Sequence, residues 1–344
     1  MQPLTRRDFL NFTASQPLPD GFWLHVNRTA MACRFEVTLP MGDQAGVGVA
    51  TEALNQIDEL EAQLTVFRVD SEVSYINRQS AAQAVQVEAS LFDLLSLCKK
   101  LHEETDRTFD ITSGPLTRCW GFLKREGRLP SLEELEDARA LVGSDKLSLN
   151  DETRSIRFAH AGMEINLGSI GKGYALDRVA ASMRQRVRTA MLNAGASSIC
   201  VIGAGDRDQG WSVGLRNPRD KTRRYATLRL RDCSLSTSGS EEQFFEHEGR
   251  RYGHIIDPRT GWPAQAVTSV SVVAPSGALS DALATAFYIG GRSLAEKYCA
   301  AHPEVLVIML EKDARRPVIV GSNRGCLNHG VRWQAQRDTA LDLC

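Results

Sequence analysis

Apolar and polar positions along the chain alternate at two different periods, and the switches between them mark out the elements. From His25 to Leu39 the alternation of Phe35, Val37 and Leu39 predicts a strand that ends at Pro40. From Val47 to Leu64 the spacing lengthens. Ala50, Leu54, Ile57, Leu60 and Leu64 share one face and Glu52, Asp58, Glu59 and Glu61 the other, which predicts an amphipathic surface helix. A second helix is expected over Ser90–His102, with Leu91, Leu94, Leu95, Cys98 and Leu101 inward. Ser131 and Glu134, following Pro130, have the spacing of a capping box and open a third.

A helix over Gly171–Val187 follows a glycine-rich approach. Strands are then expected at Ala190–Leu192, Ile199–Ile202, Trp211–Leu215, Tyr225–Leu230 and Ser269–Val273. A helix over Ser280–Ile289 precedes another that Ser293 and Glu296 would cap, and Val305–Leu310 and Pro317–Val320 close as a strand pair. The sequence has no internal repeat and no long linker. This mixture is neither regular βαβα nor all-β, so the fold class is α+β.

The length of 344 residues suits one large domain or two ordinary ones. Apolar residues at 42% and charged residues at 24% exclude a disordered or fibrous chain. A net charge of −1 excludes a general basic field for nucleic acid, and no apolar run approaches the roughly 20 residues of a membrane-spanning helix. The eight cysteines form no CxxC pair and sit at no zinc spacing; they read as small buried hydrophobes with an exposed Cys344. Thr5-Arg6-Arg7-Asp8-Phe9-Leu10 is similar to a twin-arginine export pattern. The next residues are polar and broken by Pro17, so the apolar stretch that export needs is missing. We therefore expect an N-terminal segment, residues 1–20, that does not export. That favours a cytoplasmic setting over a periplasmic one, and one domain is expected over 21–335.

Four segments could carry chemistry. In Asn166-Leu167-Gly168-Ser169-Ile170-Gly171-Lys172-Gly173, three glycines ahead of a helix allow close approach of a ligand, and Lys172 supplies a point charge. It is not a Walker loop, because Gly173 stands where Ser or Thr should follow the lysine; a structural turn is the other reading. His254 precedes the rigid turn Asp257-Pro258-Arg259-Thr260-Gly261 and could accept a proton from a hydroxyl, or simply bond to backbone. Asp281 and Thr285, four apart, share a helical face and are hard oxygen donors suited to Mg²⁺; an N-cap Asp281 is the alternative. Thr108-Phe109-Asp110 with Trp120-Gly121-Phe122 could stack on a planar ring or be core.

These blocks occur in order with Met31-Ala32-Cys33, Phe67, Ser71-Glu72-Val73-Ser74, Gly114-Pro115-Leu116, Asn193-Ala194-Gly195 and Ser236-Thr237-Ser238-Gly239. Together they resemble one family, the ApbE-type FAD:protein FMN transferases, over about Met31 to Gly321. The resemblance implies a T-fold-like architecture, an antiparallel sheet packed with helices. It also implies a Mg²⁺-dependent transfer of FMN from FAD to a Ser or Thr hydroxyl of an acceptor flavoprotein, through a phosphodiester, with release of AMP. Carried over by position, His254 would be the base. Asp281, Thr285 and the Ser169 carbonyl would bind Mg²⁺. Met31, Phe67, Thr108, Phe109, Asp110, Asn166, Lys172 and Ile256 would line the FAD site. The chain departs from the family pattern at Asn166, where Asp is usual, at Gly195-Ala196-Ser197 for Gly-Gly-Asp, and at Met31-Ala32-Cys33 for Met-Gly-Thr. A hydrolase giving FMN and AMP, or a flavin-binding protein without turnover, are the alternatives.

Overall fold

The computed structural model describes residues 23–195, 197–205, 210–239, 243–322 and 327–333. The Arg6-Arg7 segment, the expected boundaries at 20 and 335, Ala196, Cys326 and Cys344 lie outside them. The helices are α1 (Gln44–Leu64), α2 (Glu72–Gln79), α3 (Ala89–Glu104), α4 (Gly114–Cys119), α5 (Leu132–Ala140), α6 (Gly171–Met183) and α7 (Gly277–Ala301). The strands are β1 (Trp23–Ala30), β2 (Cys33–Pro40), β3 (Val85–Gln86), β4 (Leu147–Asn150), β5 (Ser155–Phe158), β6 (Ala190–Ala194), β7 (Ser198–Ile202) and β8 (Trp211–Asn217). They continue with β9 (Asp220–Leu230), β10 (Ser234–Gly239), β11 (Phe244–His247), β12 (Arg250–Gly253), β13 (Val267–Ala274), β14 (Leu306–Glu311), β15 (Val318–Gly321) and β16 (Leu327–Trp333).

Among the described residues the main sheet has eight strands in the order β1-β2-β6-β7-β10-β13-β14-β15, every neighbour antiparallel. Helices α1, α6 and α7 cover one face. The small sheet β16-β9-β8 contributes the second core, which packs against the other face. Period-two alternation divides the central strands between these layers. Val270, Val272, Val307 and Met309 point to the helical core, whereas Val273, Leu306 and Ile308 point to the second. This accounts for β14 reading as an unbroken apolar run: both of its faces are covered.

Several expected elements shift. The predicted single strand over His25–Leu39 is a hairpin, folded at Met31 and Ala32, whose φ angles of 49° and 57° lie in the left-handed region. Such turns ordinarily carry Gly or Asn, so this one had no local signal. The helix from Gly171 stops at Met183, short of Val187. The helix expected from Ser280 begins at Gly277, with Ser276 as its N-cap, so Asp281 is not a cap of its own helix. The expected break into two helices falls at Gly291 (φ 71°), and Ser293 lies inside the resumed helix rather than at its start. The capping box at Ser131 and Glu134 forms in both directions. Cys98, Cys119, Cys200, Cys233 and Cys299 are buried and, like the half-buried Cys33, unbridged.

Candidate functional site

Two helix N-termini meet at the helical face of the sheet and cap each other. The N-terminus of α6 has no side-chain cap of its own. Asp281, reaching across from α7, accepts from the Gly173 N–H at 3.0 Å. In return Asp177 of α6 accepts from the N–H groups of Gly277 and Ala278, at 2.6 and 2.8 Å, at the start of α7. Carboxylates on helix N-termini satisfy otherwise orphaned donors and favour the local dipole. The backbones touch where the two glycines face each other: a Cβ on Gly173 would lie 2.0 Å from the Gly277 carbonyl oxygen. Glycine is required there by proximity.

This pairing places Asp281, 5% exposed, on the wall of a cleft of about 340 Å³. Its other carboxylate oxygen accepts from the Ser198 hydroxyl at 3.3 Å, and the Lys172 ammonium stands 3.7 Å away. One turn on, the Thr285 hydroxyl lies 3.3 Å from that of Ser238. Ser169, Lys172 and Asn166 bring the glycine-rich loop into the same cleft. Asn166 holds that loop in shape, its side-chain oxygen accepting from the Gly168 N–H at 2.9 Å. Asp281, Thr285 and Ser169 line the cleft and offer oxygen donors with a single carboxylate, and no group of three or more His, Cys, Asp or Glu able to hold a metal occurs among the described residues. That set fits Mg²⁺, which binds through one or two carboxylates and keeps sites for water and phosphate, and not zinc.

His254 faces the cleft from another wall. Its Nδ1 lies 3.1 Å from the Gln243 carbonyl, which can only accept, so Nδ1 donates there. The turn behind it is anchored in an aromatic core. Trp120, fully buried, donates from its indole to the Gly261 carbonyl at 2.8 Å and packs on Tyr252, Phe245 and Trp262. Phe122 turns its ring edge towards His254. Of the two readings of these aromatics, Trp120 is core.

Of the residues to which the resemblance assigns base, metal or FAD roles, all line this cleft except Met31 and Phe109. Met31 sits at the β1–β2 turn, its N–H donating to Glu61 at 2.8 Å. Phe109 is 1% exposed and belongs to the helical core, whereas its neighbours Thr108 and Asp110 line the cleft. The Asp110 carboxylate is committed to its own loop, accepting from the Thr112 N–H and hydroxyl (2.8 and 2.6 Å) and from the Ser144 N–H and hydroxyl (3.1 and 2.8 Å). Phe67, 73% exposed, stands at the rim. The sequence reading had no role for Ser198, Ser238 or Gln243. Gln243 acts through a main-chain carbonyl, which no residue type announces.

A family model described as the ApbE family matches residues 31–309. Among curated relatives, a protein of Klebsiella pneumoniae named FAD:protein FMN transferase is 31% identical over 74% of this chain and 78% of its own. One of the same name from Treponema pallidum is 31% identical over 72% of each. Among solved structures, the ApbE protein of Thermotoga maritima superposes with a TM-score of 0.78 at 26% identity, covering 88% of this chain and 97% of its own. The flavin transferase ApbE of Vibrio cholerae gives 0.76 at 25% identity, over 89% and 99%.

Proposed function

Because the chain belongs to the ApbE family, we propose that its cleft binds FAD and transfers the FMN half to a Ser or Thr hydroxyl of an acceptor flavoprotein, with AMP leaving. One arrangement carries this reading: the oxygen pair Asp281 and Thr285 shares a single cleft with an imidazole oriented by a main-chain carbonyl. Asp281, Thr285 and the Ser169 carbonyl would hold Mg²⁺, which when bound neutralises charge on a pyrophosphate. Lys172 adds a mobile point charge beside them. The Gly168–Gly173 loop offers the pyrophosphate a close approach to backbone, and Phe67 and Ile256 offer the flavin ring apolar surface.

The acceptor hydroxyl gives its proton to His254 Nε2 as its oxygen bonds to the phosphorus of the FMN half. The bridging P–O bond of the pyrophosphate breaks, and AMP departs with that electron pair. Phosphoryl transfer of this kind asks the protein for position and charge more than for covalent chemistry. Mass spectrometry of acceptor proteins incubated with the enzyme, FAD and Mg²⁺ tests the reading. A Ser or Thr carrying the mass of FMN supports it. AMP released while a competent acceptor stays unmodified would assign hydrolysis instead.

A further inference from the structure

On the face away from the helices, the main sheet changes character along its strands. Where the small sheet covers it, the row across β7, β10 and β13 is apolar: Ile199, Leu235 and Val273, paired in register. The next row on that face holds Thr237 and Ser271, paired in register with their hydroxyls 2.8 Å apart. Beside them is Ser197, whose carbonyl accepts from the Thr237 N–H at 2.7 Å. This hydroxyl strip floors a groove of about 520 Å³.

The wall of the groove is β8. Ser212, Val213, Gly214, Leu215 and Arg216 line it without a gap. A strand presenting a face contributes every second residue, so the unbroken run means that β8 turns its edge to the groove. In its sheet β8 pairs with β9 alone, and Val213 and Leu215 belong to the second core. The other edge of β8 therefore carries main-chain N–H and C=O groups with no strand partner among the described residues. Such an edge is a template for an added strand.

The groove runs into the candidate cleft, because Ser197, Thr237 and Gly239 line both. On β10, the Ser238 hydroxyl lies 3.3 Å from that of Thr285, while its neighbour Thr237 points to the opposite face and floors the groove. One strand thus separates the groove from the Asp281–Thr285 pair. The two spaces join at Gly239, the last residue of β10, which has no side chain to narrow the passage.

We propose that this groove is the docking site of the acceptor protein, which adds an extended segment to the free edge of β8 and feeds its Ser or Thr hydroxyl past Gly239 into the cleft. The proposal rests on the transfer reaction proposed above and names where its protein substrate is held. The edge offered by Ser212–Arg216 accommodates about 17 Å of extended chain, at about 3.4 Å per residue. In strand addition the main-chain bonds supply affinity, and alternate side chains of the added segment meet the floor.

The probe is a library of synthetic peptides of about ten residues, each with one central Ser or Thr. The whole protein receives it with FAD and Mg²⁺, and attached FMN is read by mass. Asn193→Trp places a ring at a position that lines the groove and not the cleft. It should raise the KM for modified peptides at least about tenfold and leave FAD affinity, read by flavin fluorescence, unchanged. Hydrogen exchange is the second measurement and needs no variant. The most strongly modified peptide, with its hydroxyl residue replaced by Ala, should slow the amides of Ser212–Arg216 at least about tenfold and leave β16, at the opposite edge of the small sheet, unchanged. Peptides modified with no slowing at β8, or with an unaltered KM in a folded Asn193→Trp, overturn the docking site and leave the transfer reading standing. Modification of whole acceptor proteins but of no peptide also overturns it, since an extended segment then does not suffice. So do β8 amides that are equally slow before peptide is added, which show the edge covered by the chain itself or by a second copy. FMN on neither peptide nor protein is a failure of the transfer reading, and the docking site falls with it.

Discussion

Replacing Gly173 by alanine tests whether the contact between α6 and α7 sets the position of Asp281. The added Cβ would meet the Gly277 carbonyl oxygen at 2.0 Å and its carbon at 2.3 Å, where a relaxed contact needs about 3.5 Å. The obstacle is main chain, so no side chain can swing aside and the helices must part by roughly 1.5 Å. Overpacking of this kind costs about 1–3 kcal/mol. Parting the helices also stretches the Gly173–Asp281 bond and both Asp177 bonds to the start of α7. Bonds to charged groups are worth about 1.5–3 kcal/mol each, so a total loss of about 3 kcal/mol or more is expected.

Gly171, two residues earlier, is the control. A Cβ there meets nothing within 4 Å, so Gly171→Ala should be neutral or stabilising by about 0.4–1 kcal/mol. Urea unfolding of both variants, with FMN transfer measured against Mg²⁺ concentration, separates the cases. For Gly173→Ala the midpoint should drop, and transfer should be lost at the Mg²⁺ level that saturates the unaltered protein. Gly171→Ala should match the unaltered protein in both. If the two variants behave alike, or Gly173→Ala keeps its midpoint and rate, the helix contact does not position Asp281.

Asp281→Ala should abolish transfer, because a magnesium carboxylate provides several kcal/mol of charge stabilisation; full transfer at ordinary Mg²⁺ would remove the metal assignment. His254→Ala should bind FAD normally and transfer FMN at least about a hundredfold more slowly, within the usual range for a general base; single-turnover kinetics and flavin fluorescence check the two halves. Asn166→Asp should keep the loop, since a carboxylate can also accept from the Gly168 N–H, and its second oxygen should tighten FAD binding by about tenfold, or 1.4 kcal/mol. Weaker binding in a fluorescence titration would mean that the amide NH₂ is what the flavin meets. Burial alone would push the His102 imidazole down, but the hydrogen bond and charge of Asp110 outweigh it and raise it above its ordinary 6.5. Burial would likewise raise Asp110, yet His102 and Thr112 hold it below its ordinary 3.8. The His102 contribution is therefore complete below pH 6.5 and is lost as pH rises through the raised value; the Asp110 contribution is lost as pH falls through the lowered one. Stability in urea should decline as pH rises above 6.5 in the unaltered protein and decline less in His102→Gln, and equal slopes would contradict the pairing.

Local signals carried what was legible in the chain. Helix α1 announced itself through an apolar stripe, α5 through its capping box, and β14 through an apolar run that only a strand covered on both faces can hide. The turn at Met31 and Ala32 escaped because its backbone conformation is imposed by the eight paired positions of the hairpin and not by turn residues. Residues of the candidate site could be named individually from their motifs, but not their mutual support. The Gly173–Asp281 bond joins positions 108 residues apart, and the Asp177–Gly277 bond joins positions 100 apart. No periodicity reports such pairs. Phe109 shows the complementary case, where a motif at the right place contributes a core ring.

The arrangement around Asp281 also constrains how the cleft can be loaded. A buried carboxylate needs compensation, and here it comes from the α6 N-terminus, the Ser198 hydroxyl and Lys172. The first two are built into the backbone and the sheet and hold Asp281 whether or not anything is bound. Lys172 differs: its ammonium is 3.7 Å away on a flexible stem, a quarter exposed. A divalent cation held at Asp281 would compete with the ammonium for the same oxygen, and would leave that charge for an anionic group in the cleft. The fixed supports thus preserve the carboxylate, and the mobile one can pass its charge to the substrate. Gly173 makes both possible. It brings α6 close enough for its N–H to replace part of what Lys172 gives up.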